Sequence, residues 1–119
     1  MTAEQPGYST QPAMRATILC GIRDRLHHRS LVVELVQRAR RARLAGATVF
    51  EGVEGYGEPG SLHARHLLAD DSPASIVLVD RAEQVEAFLH ANRELLAGVM
   101  VTLEDVEVVD FTSPADTDR

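Results

Sequence analysis

The order of strand-like and helix-like patterns of apolar residues constrains the fold of this chain more than any other feature. Four segments are extended runs of apolar and β-branched residues, and two place apolar residues three and four positions apart, as helices do. The predicted strands are 15–22, 47–54, 74–79 and a last region at 99–111, and the predicted helices are 31–45 and 81–96. This order predicts a ferredoxin-like βαββαβ domain, an α+β fold with a four-stranded antiparallel sheet and two helices on one face.

The predicted sheet is apolar on both of its faces. A sheet that helices cover on one face alternates apolar and polar residues along its strands. The runs at 76–79 and 99–101 do not alternate. The face without helices therefore needs a covering, and another copy of the same chain is the simplest one. The sequence predicts a homo-oligomer.

Local signals predict where the elements begin and end. Ser30 is the predicted N-cap of the first helix, and Gly46 the predicted left-handed residue after it. Asp80 is predicted to cap the second helix. The arginines late in the first helix suit the negative end of the helix dipole, which by itself explains them. Glu104 and Asp105 are predicted to interrupt the last strand with a turn.

Composition excludes several classes of function. A net charge of −6 argues against a binder of nucleic acid or of anionic membranes. All twelve basic residues are arginines, which excludes a lysine Schiff base and a P-loop lysine. No apolar run approaches the roughly 20 residues of a membrane helix, and the N-terminus lacks the regions of a signal peptide. We expect a cytoplasmic protein without direct membrane insertion.

The 119 residues predict one domain between two polar ends. Residues 1–13 and 112–119 are expected to be disordered tails, with the folded domain at 14–111. The single cysteine, Cys20, lies in an apolar run without a neighbouring cysteine, so we expect a buried small hydrophobic side chain.

The segment after the second strand is the candidate functional element. It contains more glycine than a hairpin turn requires, at Gly52, Gly55, Gly57 and Gly60. One interpretation is a hinge that uses positive φ. The other is a nest of backbone N–H groups that binds an anion, with charge from Arg65 or from Arg29 of a neighbouring subunit. A dinucleotide-binding fingerprint is disfavoured because Pro59 interrupts the run and no long helix follows.

Two histidines in the same segment suggest a second kind of chemistry. His63 and His66 are three residues apart, so on a helical turn they share a face and can chelate a divalent metal. Histidines exposed to solvent or at a subunit interface are the alternative. Ser61 near His63 lacks an oxyanion-hole motif, so a nucleophilic enzyme is the least favoured interpretation.

Three separated stretches resemble one known family. The runs LAGATVFEGVEGYG and VTLEDVEVVDF, with Leu62 and His63 between them, resemble the small bacterial PII-like proteins of unknown function, which are often encoded beside fluoride exporters. Residues 24–31 match the first connection of that family. The resemblance implies a ferredoxin-like homotrimer related to PII signalling proteins, whose loop between the second and third strands contacts partners. That loop corresponds to about residues 52–73.

The resemblance also implies a ligand and a function. PII proteins bind adenine nucleotides in the clefts between subunits, so a small anionic effector is expected there, with an adenine nucleotide as the candidate. The implied partner is a membrane transporter. The expected ligand-binding residues are Gly57, Gly60, His63, Arg65, His27 and Arg29. We therefore expect a signalling or regulatory protein rather than an enzyme. A divalent-metal-binding trimer of the same superfamily and a small enzyme on this fold remain alternatives.

Overall fold

A four-stranded antiparallel sheet carries the rest of the structure, a computed structural model that describes residues 7–53, 55 and 72–112. The strands are β1 (Ser9–Gly21), β2 (Arg25–Leu26), β3 (Arg29–Ser30), β4 (Ala47–Glu51), β5 (Pro73–Asp80) and β6 (Met100–Asp110); the helices are α1 (Leu31–Arg41) and α2 (Ala82–Ala91). The sheet order is β4-β5-β1-β6, while β2 and β3 form a separate hairpin. This is the order of a ferredoxin-like domain, so the predicted fold is confirmed.

Both helices pack on the same face of the sheet and close one hydrophobic core. Ile18, Ile76 and Leu78 from the sheet meet Leu35 from α1 and Val85 from α2, and all five side chains are fully buried. Burying each of them stabilises the fold by about 1.5–3 kcal/mol relative to an exposed position. The apolar spacing of the two predicted helices therefore identified the side of each helix that faces the sheet.

The opposite face of the sheet, which we call the open face, also carries large apolar side chains. Side chains alternate between faces along a strand, so Leu19, Phe50 and Met100 point away from the buried layer. They are 37%, 57% and 51% exposed. Arg15 and Glu104 lie on the same face and form a salt bridge of 2.6 Å between Nη2 and Oε1. Within the described part of the chain, this face has no helix packed against it.

β1 and β6 continue beyond the other strands as a two-stranded ribbon. Residues 9–13 pair with β6 alone, because the pairing of β1 with β5 begins at Met14. Near the end of the ribbon the Tyr8 and Phe111 rings meet edge-on, with centroids 5.5 Å apart. The first strand therefore begins at Ser9, inside the stretch expected to be a disordered tail and six residues before the predicted start.

The predicted turn at Glu104 and Asp105 is wrong, because β6 is one continuous strand. Glu104 sits opposite Arg15 in the ladder and pairs with it, and Asp105 sits opposite Met14. A long partner strand thus satisfies the backbone of these two residues. Two adjacent acidic residues suggested a turn because the strand that pairs with them is distant in the sequence.

The helix ends match the predictions in part. The Ser30 hydroxyl accepts a hydrogen bond of 3.2 Å from the Val33 N–H, which confirms Ser30 as the N-cap of α1. The predicted role of Gly46 is wrong: α1 ends at Arg41, and the left-handed residue that follows is Arg43, with φ of 62°. α1 is therefore four residues shorter than predicted.

The second helix also differs from its prediction. α2 covers Ala82–Ala91, and its N-cap position is Arg81 rather than Asp80. Asp80 instead accepts hydrogen bonds from the Ala45 and Arg81 N–H groups, at 2.8 and 2.7 Å. It ties the segment that follows α1 to the end of β5. Beyond Ala91 the chain turns, with Asn92 buried and hydrogen-bonded back to Phe88, so the predicted end at residue 96 is wrong.

Candidate functional site

The connection between β1 and α1 is a structured hairpin rather than a plain loop. β2 and β3 pair around a two-residue turn in which His27 and His28 adopt φ of 53° and 68°. Two central residues with positive φ are typical of type I′ hairpin turns, where Asn-Gly is the usual pair. The Arg25 guanidinium donates to the His28 carbonyl at 3.4 Å. The hairpin holds both histidines exposed at its tip.

A buried carboxylate anchors this hairpin to the sheet. Asp24 is buried, and its side chain accepts a hydrogen bond of 2.9 Å from the Gly21 N–H. The Asp24 backbone also bonds Gly21 and Leu31, at 3.1 and 2.9 Å. Asp24 therefore links the end of β1 to the start of α1. Sequence reasoning did not single it out, although an aspartate three residues after a strand glycine is a recognisable turn signal.

Three arginines surround a single carboxylate at the start of α1. Glu34 accepts a hydrogen bond of 2.9 Å from Arg38 Nε. Arg29 and Arg41 lie 3.8 and 3.9 Å from its two oxygens. The hydrogen bond from Arg38 and the charges of all three guanidinium groups hold the pKa of Glu34 below its usual value, against an opposing effect of burial. We call these four residues the Glu34 cluster.

The Glu34 cluster shows that dipole compensation is an incomplete explanation of the helix arginines. Arg38 also donates to the Asn92 side chain at 2.9 Å, and the buried Asn92 in turn donates to the Phe88 carbonyl at 2.8 Å. Arg38 is therefore fixed between the two helices. The i,i+4 spacing of Glu34 and Arg38 is visible in the sequence, but the part played by Asn92, 54 residues later, is not.

A cleft of about 320 Å³ lies between the hairpin, the first turn of α1 and the segment after α2. Its apolar wall includes Leu26, Leu31 and Leu95, and its polar wall includes His27, Arg29 and Arg38. This volume is within the ~300–1,000 Å³ of small-molecule sites. Two residues predicted to bind ligand, His27 and Arg29, thus line one cleft.

The other predicted ligand-binding residues, Gly57, Gly60, His63 and Arg65, lie outside the described residues, as does His66. The structure does describe where their segment leaves and rejoins the sheet. The Gly52 N–H donates to the Pro73 carbonyl at 2.6 Å, and Ser72 Oγ donates to Glu51 at 2.6 Å. A Cβ on Gly52 would lie 2.7 Å from the Pro73 ring, so this close approach requires glycine.

The base of the 52–73 segment and the hairpin leave the sheet at the same end. The Ile22 N–H donates to the Ser72 carbonyl at 2.8 Å, and Gly21 pairs with Pro73 across the sheet. The hairpin begins four residues after Gly21. The two segments that sequence reasoning selected for ligand binding therefore start from adjoining positions.

Three further findings concern metal binding, the cysteine and membrane crossing in the described part of the chain. No group of three His, Cys, Asp or Glu side chains is placed to hold a metal ion among the residues described. Cys20 is buried, as predicted, and His90 is exposed on α2. Over the same residues, no helix is long and apolar enough to cross a membrane.

Solved structures show the same fold at low sequence identity. The apo form of CPII, a nitrogen regulatory PII-like protein from Thiomonas intermedia K12, superposes with a TM-score of 0.60 over 86% of this chain and 97% of that one, at 17% identity. CPII bound to ADP, AMP and acetate gives a TM-score of 0.59 over 84% and 91%, at 19% identity. The chain therefore has the fold of PII-like proteins.

Sequence comparison then gives the family. Residues 13–108 match the model of the DUF190 family, described as uncharacterized ACR, COG1993. A UPF0166 protein of Aquifex aeolicus (strain VF5) is 35% identical over 77 residues, which cover 63% of this chain and 72% of that protein. This chain belongs to the DUF190 family. The predicted resemblance to PII-like proteins of unknown function is confirmed.

Proposed function

We propose that this protein is a PII-like regulatory protein rather than an enzyme. In this proposal, copies of the chain associate through the open face, as a homotrimer, and bind a small anionic effector in the clefts between subunits. An adenine nucleotide is the candidate effector. The 52–73 segment changes its contacts with a partner when the effector binds.

One observation carries the proposal: the two segments selected for ligand binding leave the same end of a sheet whose open face carries large exposed apolar side chains. Leu19, Phe50 and Met100 on that face are the kind of side chains that subunit interfaces cover. Association over this face brings the corresponding ends of several sheets together. Each seam between copies then has a hairpin and a 52–73 segment available to it.

The chemistry of the described residues favours an anionic effector. His27, Arg29 and Arg38 line the cleft beside the hairpin, and guanidinium groups bind carboxylate and phosphate with paired hydrogen bonds. CPII, which shares the fold, has been crystallised with ADP, AMP and acetate. This supports nucleotides as the first class to test. A membrane transporter as the partner rests on the family resemblance alone.

Titration calorimetry on the purified full chain tests the effector. AMP, ADP, ATP, cyclic dinucleotides and fluoride are titrated separately, with thermal shift as a second readout. We expect an adenine nucleotide to bind, and His27→Ala and His63→Ala each to weaken binding by about tenfold or more, the loss of a good polar contact. His90→Ala, an exposed histidine on α2, is the control and should bind like the original chain.

Two outcomes contradict parts of this proposal. If none of these compounds binds at millimolar concentration, the nucleotide effector is excluded. If a nucleotide binds with an affinity that neither His27→Ala nor His63→Ala changes, the site lies elsewhere and the hairpin is not part of it.

A further inference from the structure

Positive charge is concentrated in the hairpin and in and just after α1, although the protein as a whole is acidic. Residues 23–43 contain seven arginines and two carboxylates, a net charge of +5 in a chain of −6. One of the two carboxylates, Asp24, is buried at the hairpin base, where it bonds to the backbone. The other, Glu34, is shared by three arginines. The Glu34 cluster alone therefore has a net charge of +2.

The three arginines of the cluster are not held equally. Arg38 is fixed by hydrogen bonds of 2.9 Å to both Glu34 and Asn92. Arg29 and Arg41 stand 3.8 and 3.9 Å from Glu34, beyond hydrogen-bonding distance, with side chains 74% and 66% exposed. They can turn to another anion without breaking a hydrogen bond to Glu34.

Two of these three arginines line the same cavity. Arg29 and Arg38 both line the cleft, while Arg41 adds positive charge from just outside it. Glu34 also lines the cleft, so its carboxylate stands where an anionic ligand group would contact the same guanidiniums. Leu26, Leu31 and Leu95 form an apolar wall for the uncharged part of a ligand.

We propose that this cleft binds the phosphate group of a small phosphorylated molecule, and that Glu34 is an internal counter-ion which the phosphate displaces from Arg29. A phosphate monoester carries about −1.5 to −2 charges at pH 7, which matches the +2 of the cluster. A single carboxylate matches it less well. Arg38 stays bonded to Glu34 and Asn92 and keeps the site in place. This inference rests on the proposed function, because it assumes that His27 and Arg29 face the effector.

The test is titration calorimetry with inorganic phosphate, and then AMP, at low ionic strength on the purified full chain. Glu34→Gln removes the competing charge, so we expect it to bind phosphate about tenfold more tightly. Arg29→Gln removes a ligand-facing charge and should bind about tenfold more weakly. Arg40→Gln is the matched control: it removes the same charge from an exposed position on α1, and its affinity should stay within about twofold.

The outcomes separate this inference from the proposed function. Adenine nucleotides that bind with no response to Glu34→Gln leave the proposed function standing and overturn the phosphate site. Phosphate binding with the expected order of variants, but no added affinity from adenosine, supports this site and removes the nucleotide effector. Failure of phosphate to bind at millimolar concentration overturns the inference. Carboxylates of a second copy that already occupy the arginines would give this result. Because Arg29 is largely exposed, Arg29→Gln remains informative even if Glu34→Gln does not fold.

Discussion

Both faces of the sheet carry large apolar side chains, but the surroundings of the two faces differ. On one face, Ile18, Ile76 and Leu78 are closed off completely by α1 and α2. On the other, Leu19, Phe50 and Met100 remain between about one third and three fifths exposed. The sequence places apolar side chains on both faces, but the described chain supplies helices for only one. The proposed association of copies through the open face rests on this difference.

Covering the open face would stabilise the apolar side chains that lie on it. Leaving an apolar side chain of this kind in water forgoes about 1.5–3 kcal/mol for each residue that could be fully buried. The Arg15–Glu104 pair within this surface supplies a polar contact that a covering subunit would shield from water.

The largest expected effect is the loss of folding stability from a substitution on the covered face. Ile76→Ala removes a fully buried side chain and leaves a cavity beneath the helices. It should lower the free energy of unfolding by about 2–5 kcal/mol. Chemical denaturation measures this loss at a concentration where the oligomeric state is unchanged. A loss below about 1 kcal/mol would contradict the described core.

The next largest effect is the loss of association from a substitution on the open face, which tests assembly separately from folding. Leu19→Glu places a charge on the proposed interface, so we expect association to weaken by ~100-fold or more, as for an unpaired charge in an interface. Sedimentation velocity over a dilution series measures this change. Val33→Glu, which adds the same charge to an exposed apolar position on α1, is the control and should leave the assembly intact.

A smaller effect tests whether the open face becomes shielded. An exposed ion pair is worth about 0.2–1 kcal/mol, whereas hydrogen bonds to charged groups in a protected site contribute about 1.5–3 kcal/mol. The double-mutant cycle of Arg15→Ala and Glu104→Ala should therefore give the lower coupling energy in dilute, dissociated protein and the higher one in the assembly. Equal coupling in both states would mean that this part of the face stays wet.

The smallest effect is the pH dependence of folding stability that Glu34 causes, and Glu34 lies on neither face of the sheet. The folded chain lowers the pKa of Glu34, so this carboxylate is protonated more readily in the unfolded chain. Its contribution to stability is complete above the ordinary pKa of 4.5 and is lost as pH falls through the lowered value. Denaturation of the original chain and of Glu34→Gln between pH 6 and pH 3 measures it. The two stability curves should converge towards the acidic end; a constant gap would contradict the assigned role of Glu34.

The sequence predicted the fold because its main signals are local. Apolar spacing separates strand from helix, and the order of six elements leaves few possible topologies. Ser30 was identifiable as a cap because its partner, Val33, is three residues away. The open face was also predictable, since the absence of alternation in 76–79 is visible without knowledge of the strand's neighbours.

The predictions that failed depended on partners distant in the chain. The sequence around Glu104 suggests a turn, and only its position opposite Arg15 in the sheet shows that it belongs to a strand. The role of Arg38 requires Asn92 from the other side of the core. The hairpin was missed because two histidines occupy turn positions that glycine and asparagine usually fill. Of the predicted site, His27 and Arg29 line one cleft, and the residues of the 52–73 segment remain predictions.

Native mass spectrometry of the purified full chain tests most directly whether copies of the protein cover the open face. We expect the main species at micromolar concentration to have three times the 13.0 kDa of one chain, and Leu19→Glu to shift it to the mass of a single chain. A stable 13.0 kDa species from the original chain at that concentration, with amide exchange unchanged on further dilution, would contradict both the covered face and the proposed sites between subunits.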